Sequence, residues 1–350
     1  MRSDSSMGKL NIYRYLRMAI SDKIPGALKL AGLLVMHATR QRCIGIFIDP
    51  VLACNLSCRM CYFSDPESRA KMHGTASQKW LDAIGNALFH RALKLHIGCG
   101  AEPTLYKGLI SLIANGRTAG IPYISLTSNG QLLASQGSLR DLVEAGLDEL
   151  TLSIHGISRE IYEALMPGAR FDHLLSLIKC IKKVRSEFPN FKVRVNFTVN
   201  SLNMQDLRGE AFWSLWEESY PDIIQIRPVQ DIGAAAWTDY DISPIKDAYS
   251  ETIGNIVNGA KKRGITIIAP EPAQLDQLTS DQDGTSAIFE DITYCYVSPA
   301  TCYKDDFNPH KDTYESYHRS MHTSRKLLRA IFTRRGRDRR MSKKLNYSMK

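Results

Sequence analysis

ACNLSCRMCYFSD, residues 53–65, sets Cys54, Cys58 and Cys61 in a C-x3-C-x2-C spacing. The chain holds eight cysteines in 350 residues, and three of them fall in this one loop. At that frequency the spacing arises by chance in roughly 0.4% of sequences, so it asks for a chemical reason. Structural zinc is one candidate, but such sites are closed by four ligands, usually as paired knuckles. His73 offers a fourth ligand, yet no second knuckle lies near it. A redox pair of Cys58 and Cys61 leaves Cys54 without a role. An iron–sulfur cubane is ordinarily held by four thiolates. Three would leave one iron open, as a catalytic metal keeps a position for its substrate.

Outward from this loop the chain alternates between two periodicities. Residues 43–49 (CIGIFID) read as a strand leading straight into the cysteines, and further strands are expected at 94–98, 123–128, 149–154, 192–199 and 223–229. Helical periodicity fills the intervals at 75–92, 105–120, 138–146, 171–188, 204–219 and 245–264, with Ser77 as a cap. Strict alternation with short connections predicts a parallel sheet wrapped by helices, an α/β fold. Six units in simple order favour an open, partial (β/α)6 barrel over a closed one of eight. Functional groups of such barrels sit at the C-terminal ends of the strands, where the cysteine loop falls. The expected division is an N-terminal helical arm (1–42), the barrel (43–264), a small C-terminal extension (265–324) and a basic tail (325–350). The extension opens on one more strand, ITIIAPEP.

Composition bounds the class. Hydrophobic residues at 44% and charged residues at 23% suit a globular enzyme with a sizeable core. Charges and a proline interrupt the first thirty residues, which therefore do not read as a signal peptide. Residues 27–38 are apolar but too short to span a bilayer. A reducing cytoplasm is the expectation, with peripheral contact to a membrane as a further one. The net charge of +9 is concentrated at the end: residues 325–350 carry eleven Lys or Arg and one Asp. That tail reads as a solvated terminus, with contact to nucleic acid or an anionic membrane surface as the alternative.

The cysteine loop after the first strand resembles that of the radical S-adenosylmethionine (SAM) enzymes. The resemblance covers about residues 43–229 and includes several ordered motifs. It implies a [4Fe-4S] cluster on Cys54, Cys58 and Cys61, whose open iron takes the amino group and carboxylate of SAM. It further implies reductive cleavage of SAM to a 5′-deoxyadenosyl radical that abstracts a substrate hydrogen, fed by an electron donor such as ferredoxin or flavodoxin. Met60 and Tyr62 flank the third cysteine, where the family places an aromatic residue, and are expected near the adenine. In IGCGAEPTL (97–105), Gly100, Ala101, Glu102 and Pro103 match the Gly-Gly-Glu-Pro segment that faces the SAM amino group. Cys99 is the candidate hydrogen-atom donor, and a small buried filler is its ordinary role. Ser128 and Asn129 in TSNG, Ser153 in LSIHG and Asn196 on the fifth strand complete the implied SAM contacts. His155 either binds substrate or caps the helix that follows it.

Beyond the sixth strand, RPVQDIGAAAWTDY (227–240) is the candidate substrate loop. Cys295 and Cys302 stand where many family members carry auxiliary clusters in a SPASM-like extension, but two thiols fall short of the usual four ligands and read as plain thiols. Resemblance of this extension to that of peptide-modifying members makes a peptide or protein side chain the expected substrate. A glycan or lipid-linked precursor is the alternative substrate. A non-catalytic zinc module binding nucleic acid is the alternative class.

Overall fold

The computed structural model describes residues 24–136, 138–229, 235, 243–270, 272, 275, 280–282, 284–332, 340–342 and 347–349. Helix α1 (Gly26–Ala38) precedes the first of the parallel strands β1 (Ile44–Ile48), β2 (Ala92–Ile97), β3 (Tyr123–Ser128), β4 (Glu149–Ile154), β5 (Lys192–Val199), β6 (Ile223–Pro228) and β7 (Thr266–Pro270). Between them run α2 (Gln78–Leu88), α3 (Leu109–Thr118), α4 (Ser138–Ala145), α5 (Phe171–Glu187) and α6 (Ser243–Lys262). Each expected strand forms, and the Ser77 hydroxyl caps α2 by accepting from the Trp80 amide.

Side-chain alternation sorts each strand between a dry face and a polar one. Ile44, Ile46 and Ile48 of β1, Leu150, Leu152 and Ile154 of β4, and Val195 and Phe197 of β5 are all 0% exposed, packed beneath the helices. The intervening positions make the inner face. There Tyr123 donates to Glu149 at 2.6 Å, Arg194 pairs with Glu149 at 3.1 Å, and His96 bridges Ser125 and Thr127 at 2.7 and 3.1 Å. The inner surface is a polar lining, as expected of a barrel that handles a polar ligand.

Two helices depart from their expected bounds for local reasons. The 204–219 segment breaks into a short turn (Met204–Leu207) and a single helical turn (Glu210–Ser214), because Gly209 between them is extended. The 105–120 helix starts only at Leu109, since Pro103–Leu105 form a tight turn of their own.

The C-terminal extension returns to the barrel sheet. Its strand β9 (Tyr294–Ser298) lies parallel to β1, with Phe47 opposite Tyr296, and β7 lies parallel to β6. The sheet order is β10-β9-β1-β2-β3-β4-β5-β6-β7-β12, where β10 (Thr301–Cys302) and β12 (Tyr347–Met349) are antiparallel edges, and β8 (Ser280–Gln282) and β11 (Arg340–Ser342) pair antiparallel as a separate two-stranded sheet. An exposed edge of β1 would present unpaired backbone groups, and β9 covers it. Helices α7 (Tyr314–Ser320) and α8 (Thr323–Phe332) follow, and α8 packs along α1. The substrate-loop candidate beyond Val229 and most of the basic tail beyond Phe332 lie outside the described residues. Among the described residues no helix is long and apolar enough to cross a membrane.

Candidate active site

The cysteine loop leaves the C-terminal end of β1 and is pinned on several sides. Leu56 and Phe63 are buried anchors, Ser57 and Arg59 donate backbone N–H groups to the Pro167 and Leu165 carbonyls at 3.0 and 3.1 Å, and Arg69 grips the Cys54 carbonyl at 2.7 Å. Cys54, Cys58 and Cys61 are all half-buried free thiols. Burial pushes Cys54 up to about 11 and Cys58 and Cys61 upward too, and for Cys58 the charges of Cys61 and Cys54 add to that rise. Thiols that close together cannot all ionise unaided; a metal cluster is what would deprotonate them. Among the described residues no three His, Cys, Asp or Glu side chains converge on a single-ion position. Thiolates on separate irons of a cubane need no such convergence. His73 stays exposed with its ring on the Ala70 carbonyl at 3.1 Å, and does not join the thiols.

The segment after β2 docks against that loop. The Glu102 amide donates to the Ala53 carbonyl at 2.9 Å, and the Tyr62 hydroxyl donates to the Gly100 carbonyl. A Cβ on Gly98, whose φ is +85°, would run into the Thr127 carbonyl, and one on Gly100 into the Tyr62 hydroxyl. Glycine is required where backbone and neighbours approach this closely. Asp49, 1% exposed at the end of β1, accepts from the Cys99 amide at 2.7 Å, the Gly100 amide at 3.1 Å and the Tyr296 hydroxyl at 2.8 Å. One buried carboxylate thus ties the Cys99–Gly100 turn to β9 of the extension. Neither Asp49 nor Tyr296 was singled out in the sequence. The available signal was an acid closing an apolar strand immediately before the cysteines.

Glu102 is not a surface carboxylate. It is 2% exposed, and its side chain accepts from the Thr104 amide and hydroxyl (3.1 and 2.5 Å), the Ser128 hydroxyl (2.8 Å) and the Asn129 amide (2.8 Å). Burial pushes its carboxyl above the usual range while these donors pull it back. Asn129 in turn donates to Asn55 of the cysteine loop at 2.9 Å. Three loops are therefore cross-braced through Glu102, Ser128 and Asn129. Ala101 and Pro103 complete the turn, with Pro103 buried.

Ser153 and Asn196 are register neighbours on β4 and β5, both half-buried on the inner face. The Asn196 Oδ1 is buried without a hydrogen-bond partner, an acceptor aimed at whatever the barrel holds. Met60, 7% exposed, packs into the apolar core. Cys99 is an exposed thiol in the turn after β2 and not a buried filler. His155 does not cap the following helix; Ser158 does, accepting from the Ile161 amide. The His155 ring, lowered to about 4 by burial, accepts from the Thr198 amide at 3.3 Å. Cys295 is buried on β9, where neighbouring Cys302 raises it further.

A SAM-dependent iron–sulfur enzyme is the class that this fold and loop define. Residues 48–207 match the Radical SAM superfamily model. The chain is similar to a probable GTP 3′,8-cyclase of Metallosphaera sedula, 29% identical over 181 residues, covering 50% of this chain and 53% of that protein. A probable GTP 3′,8-cyclase of Methanocaldococcus jannaschii is 28% identical over 204 residues, covering 58% and 65%. The chain thus spans about half to two thirds of the length of these curated relatives. In fold it resembles Streptococcus suis SuiB, with a TM-score of 0.56 at 17% identity over 84% of this chain and 70% of that one. Members of the family bind a [4Fe-4S] cluster and SAM, and need a reductant and a substrate. The three thiols, the glycine cradle and the orphan Asn196 acceptor fit those two groups.

Proposed function

We propose that this protein is a radical SAM enzyme that takes a hydrogen atom from a bound substrate. The observation that carries the reading is the bracing of the three-thiol loop to the Gly98–Pro103 turn through Tyr62, Ala53 and Glu102. When bound, the cluster and SAM supply one-electron cleavage of a carbon–sulfur bond to methionine and a 5′-deoxyadenosyl radical, the electron coming from an external reductant. The protein's own part is positional. Cys54, Cys58 and Cys61 would hold the cluster, and the backbone at Gly98 and Gly100 lets a ligand approach closely. Asn196 and Ser153 would contact SAM from the barrel wall. Tyr123, Glu149, Arg194 and His96 give the interior a polar lining that a substrate would meet. Cys99 at the rim is the exposed thiol nearest this role of hydrogen donor.

The finer reading is a peptide or protein side chain as substrate, supported by the resemblance of residues 265–324 to the extensions of peptide-modifying members. The relatives named probable GTP 3′,8-cyclases favour a second reading, a purine nucleoside triphosphate. The first experiment is anaerobic reconstitution with iron and sulfide, followed by reductant and SAM. About four irons per chain and 5′-deoxyadenosine are expected, both lost in Cys58→Ala. About eight irons would give Cys295 and Cys302 a second cluster, and stoichiometric zinc without cleavage would overturn the reading. Adding GTP and following its consumption alongside 5′-deoxyadenosine separates the two substrate classes.

A further inference from the structure

The end of the barrel opposite the cysteine loop carries a feature that the radical chemistry does not use. Arg91 immediately precedes β2, and Cys43, whose amide donates to the Arg91 carbonyl at 2.9 Å, precedes β1. Here α1, α7 and α8 enclose a cleft of about 310 Å³ whose charged lining is Arg40, Arg91, Arg319 and Arg325 against a single carboxylate, Glu315. Glu315 is already engaged by Arg91 at 3.0 Å and by His90 at 2.8 Å. Arg91 is 1% exposed, and its Nε is buried without a hydrogen-bond partner. Burial lowers the pKa of both His37 and His318, and the permanent positive charge of the cleft lies on its four arginines. Four guanidinium groups around one committed carboxylate leave an uncompensated field, the chemistry that takes a phosphate.

The two helices that frame this cleft also turn apolar side chains to solvent. On α1, Leu28 and Val35 are 63% and 60% exposed, seven residues apart on one face, and the helix carries a single charge at Lys29. On α8, Leu328 and Phe332 are 50% and 80% exposed, four apart, with Arg325 and Arg329 on the same face. Single exposed apolar residues are ordinary, but two packed helices both presenting them beside a cationic cleft are not. The sequence after Phe332 adds eight Lys or Arg against one Asp, while the chain before residue 325 is close to neutral. Three of the four exposed side chains, Leu28, Val35 and Leu328, are aliphatic, which favours a bilayer over nucleic acid, whose bases stack on aromatic or planar groups.

We infer that the α1–α8 edge docks on an anionic membrane surface, with Leu28, Val35, Leu328 and Phe332 entering the interface and the arginine cleft receiving a phospholipid headgroup phosphate. The protein then lies on the bilayer and does not cross it. Because the cleft sits at the N-terminal ends of the strands, the cysteine rim points away from the membrane, open to reductant and substrate from water.

The test is flotation of the reconstituted full chain with vesicles of phosphatidylcholine alone or with phosphatidylglycerol added. Binding should be at least about tenfold greater on the anionic vesicles and fall with salt. Leu328→Ser with Phe332→Ser should abolish it, and Arg319→Glu with Arg325→Glu should weaken it about tenfold or more. These are exposed positions, so melting temperature and 5′-deoxyadenosine formation should stay unchanged. Equal binding to neutral vesicles, or none to either, overturns the inference. So does binding that survives both pairs of substitutions but disappears when residues 333–350 are removed, which would assign it to the tail. Stabilisation by inorganic phosphate without vesicle binding would make the cleft a soluble-phosphate site, and retention on DNA or RNA in place of vesicles would assign a nucleic acid. Either result replaces the membrane.

Discussion

The two ends of the barrel treat buried charge in opposite ways. At the cysteine rim, Asp49 and Glu102 are almost wholly buried and surrounded by donors: backbone amides and hydroxyls from three loops and from β9. At the other end Arg91 is buried to the same degree, yet it has one carboxylate partner and an unpartnered Nε beside an open cleft. A buried charge whose bonds are all made holds its surroundings in one geometry; one left short is complete only when something else arrives. The rim is thereby preorganised for chemistry, where small displacements are costly. The opposite end is arranged to receive a ligand.

Breaking the rim should have the largest effect. Glu102→Ala strips the acceptor from the Ser128 hydroxyl, the Asn129 amide and Thr104, and should cost about 4 kcal/mol of stability. Chemical denaturation measures it, and a loss below about 1 kcal/mol would mean that water replaces the carboxylate without penalty.

His155 gives the rim a dependence on pH. Its ring is held neutral, lowered to about 4, whereas an unfolded histidine titrates near 6.5. The unfolded chain therefore binds the extra proton between those values. The stabilisation from burying a neutral ring is complete above about pH 6.5 and is lost as pH falls toward 4, about 3 kcal/mol in all. Denaturation midpoints of His155→Asn across that window should show a flatter slope than the parent.

Tyr296→Phe sharpens the comparison further, since it removes a single bond to Asp49 and leaves two amide donors in place. A loss of about 1.5 kcal/mol is expected, together with weaker SAM binding by titration calorimetry. Unchanged affinity would show that β9 covers an edge without positioning the Cys99–Gly100 turn. The smallest effect belongs to the opposite end, where Leu328→Ser with Phe332→Ser should move stability by less than about 0.5 kcal/mol, because neither side chain is packed.

Local pattern made much of this legible. Strands β3, β4 and β5 have the bounds that period-two alternation predicts, because their dry faces are runs of Ile, Leu, Val and Phe, closed in β3 by buried Ser128. Cys54, Cys58 and Cys61 are legible because their spacing is local, three thiols within eight residues of one loop. Less legible were groups whose meaning depends on remote neighbours. Glu102 matched a motif, but its cross-bracing role emerges only when β3 delivers Ser128 and Asn129. The burial of Met60 and the exposure of Cys99 were not readable from the loop sequence, because position in a loop does not fix which way a side chain turns. Asp49 and Tyr296 stand 247 residues apart, and no local spacing connects them.

The sequence by itself determined the alternating strands and helices, the three-thiol loop at the end of β1 and the radical SAM resemblance, since each is a short-range pattern of side chains along the chain. Only the tertiary structure decided that the C-terminal segment returns to pair β9 beside β1. It also decided that Asp49 and Glu102 brace the rim from within, and that four arginines from separated segments line one cleft. Those outcomes follow from pairing a bare sheet edge and satisfying buried charges, requirements that exist only once the chain has closed on itself.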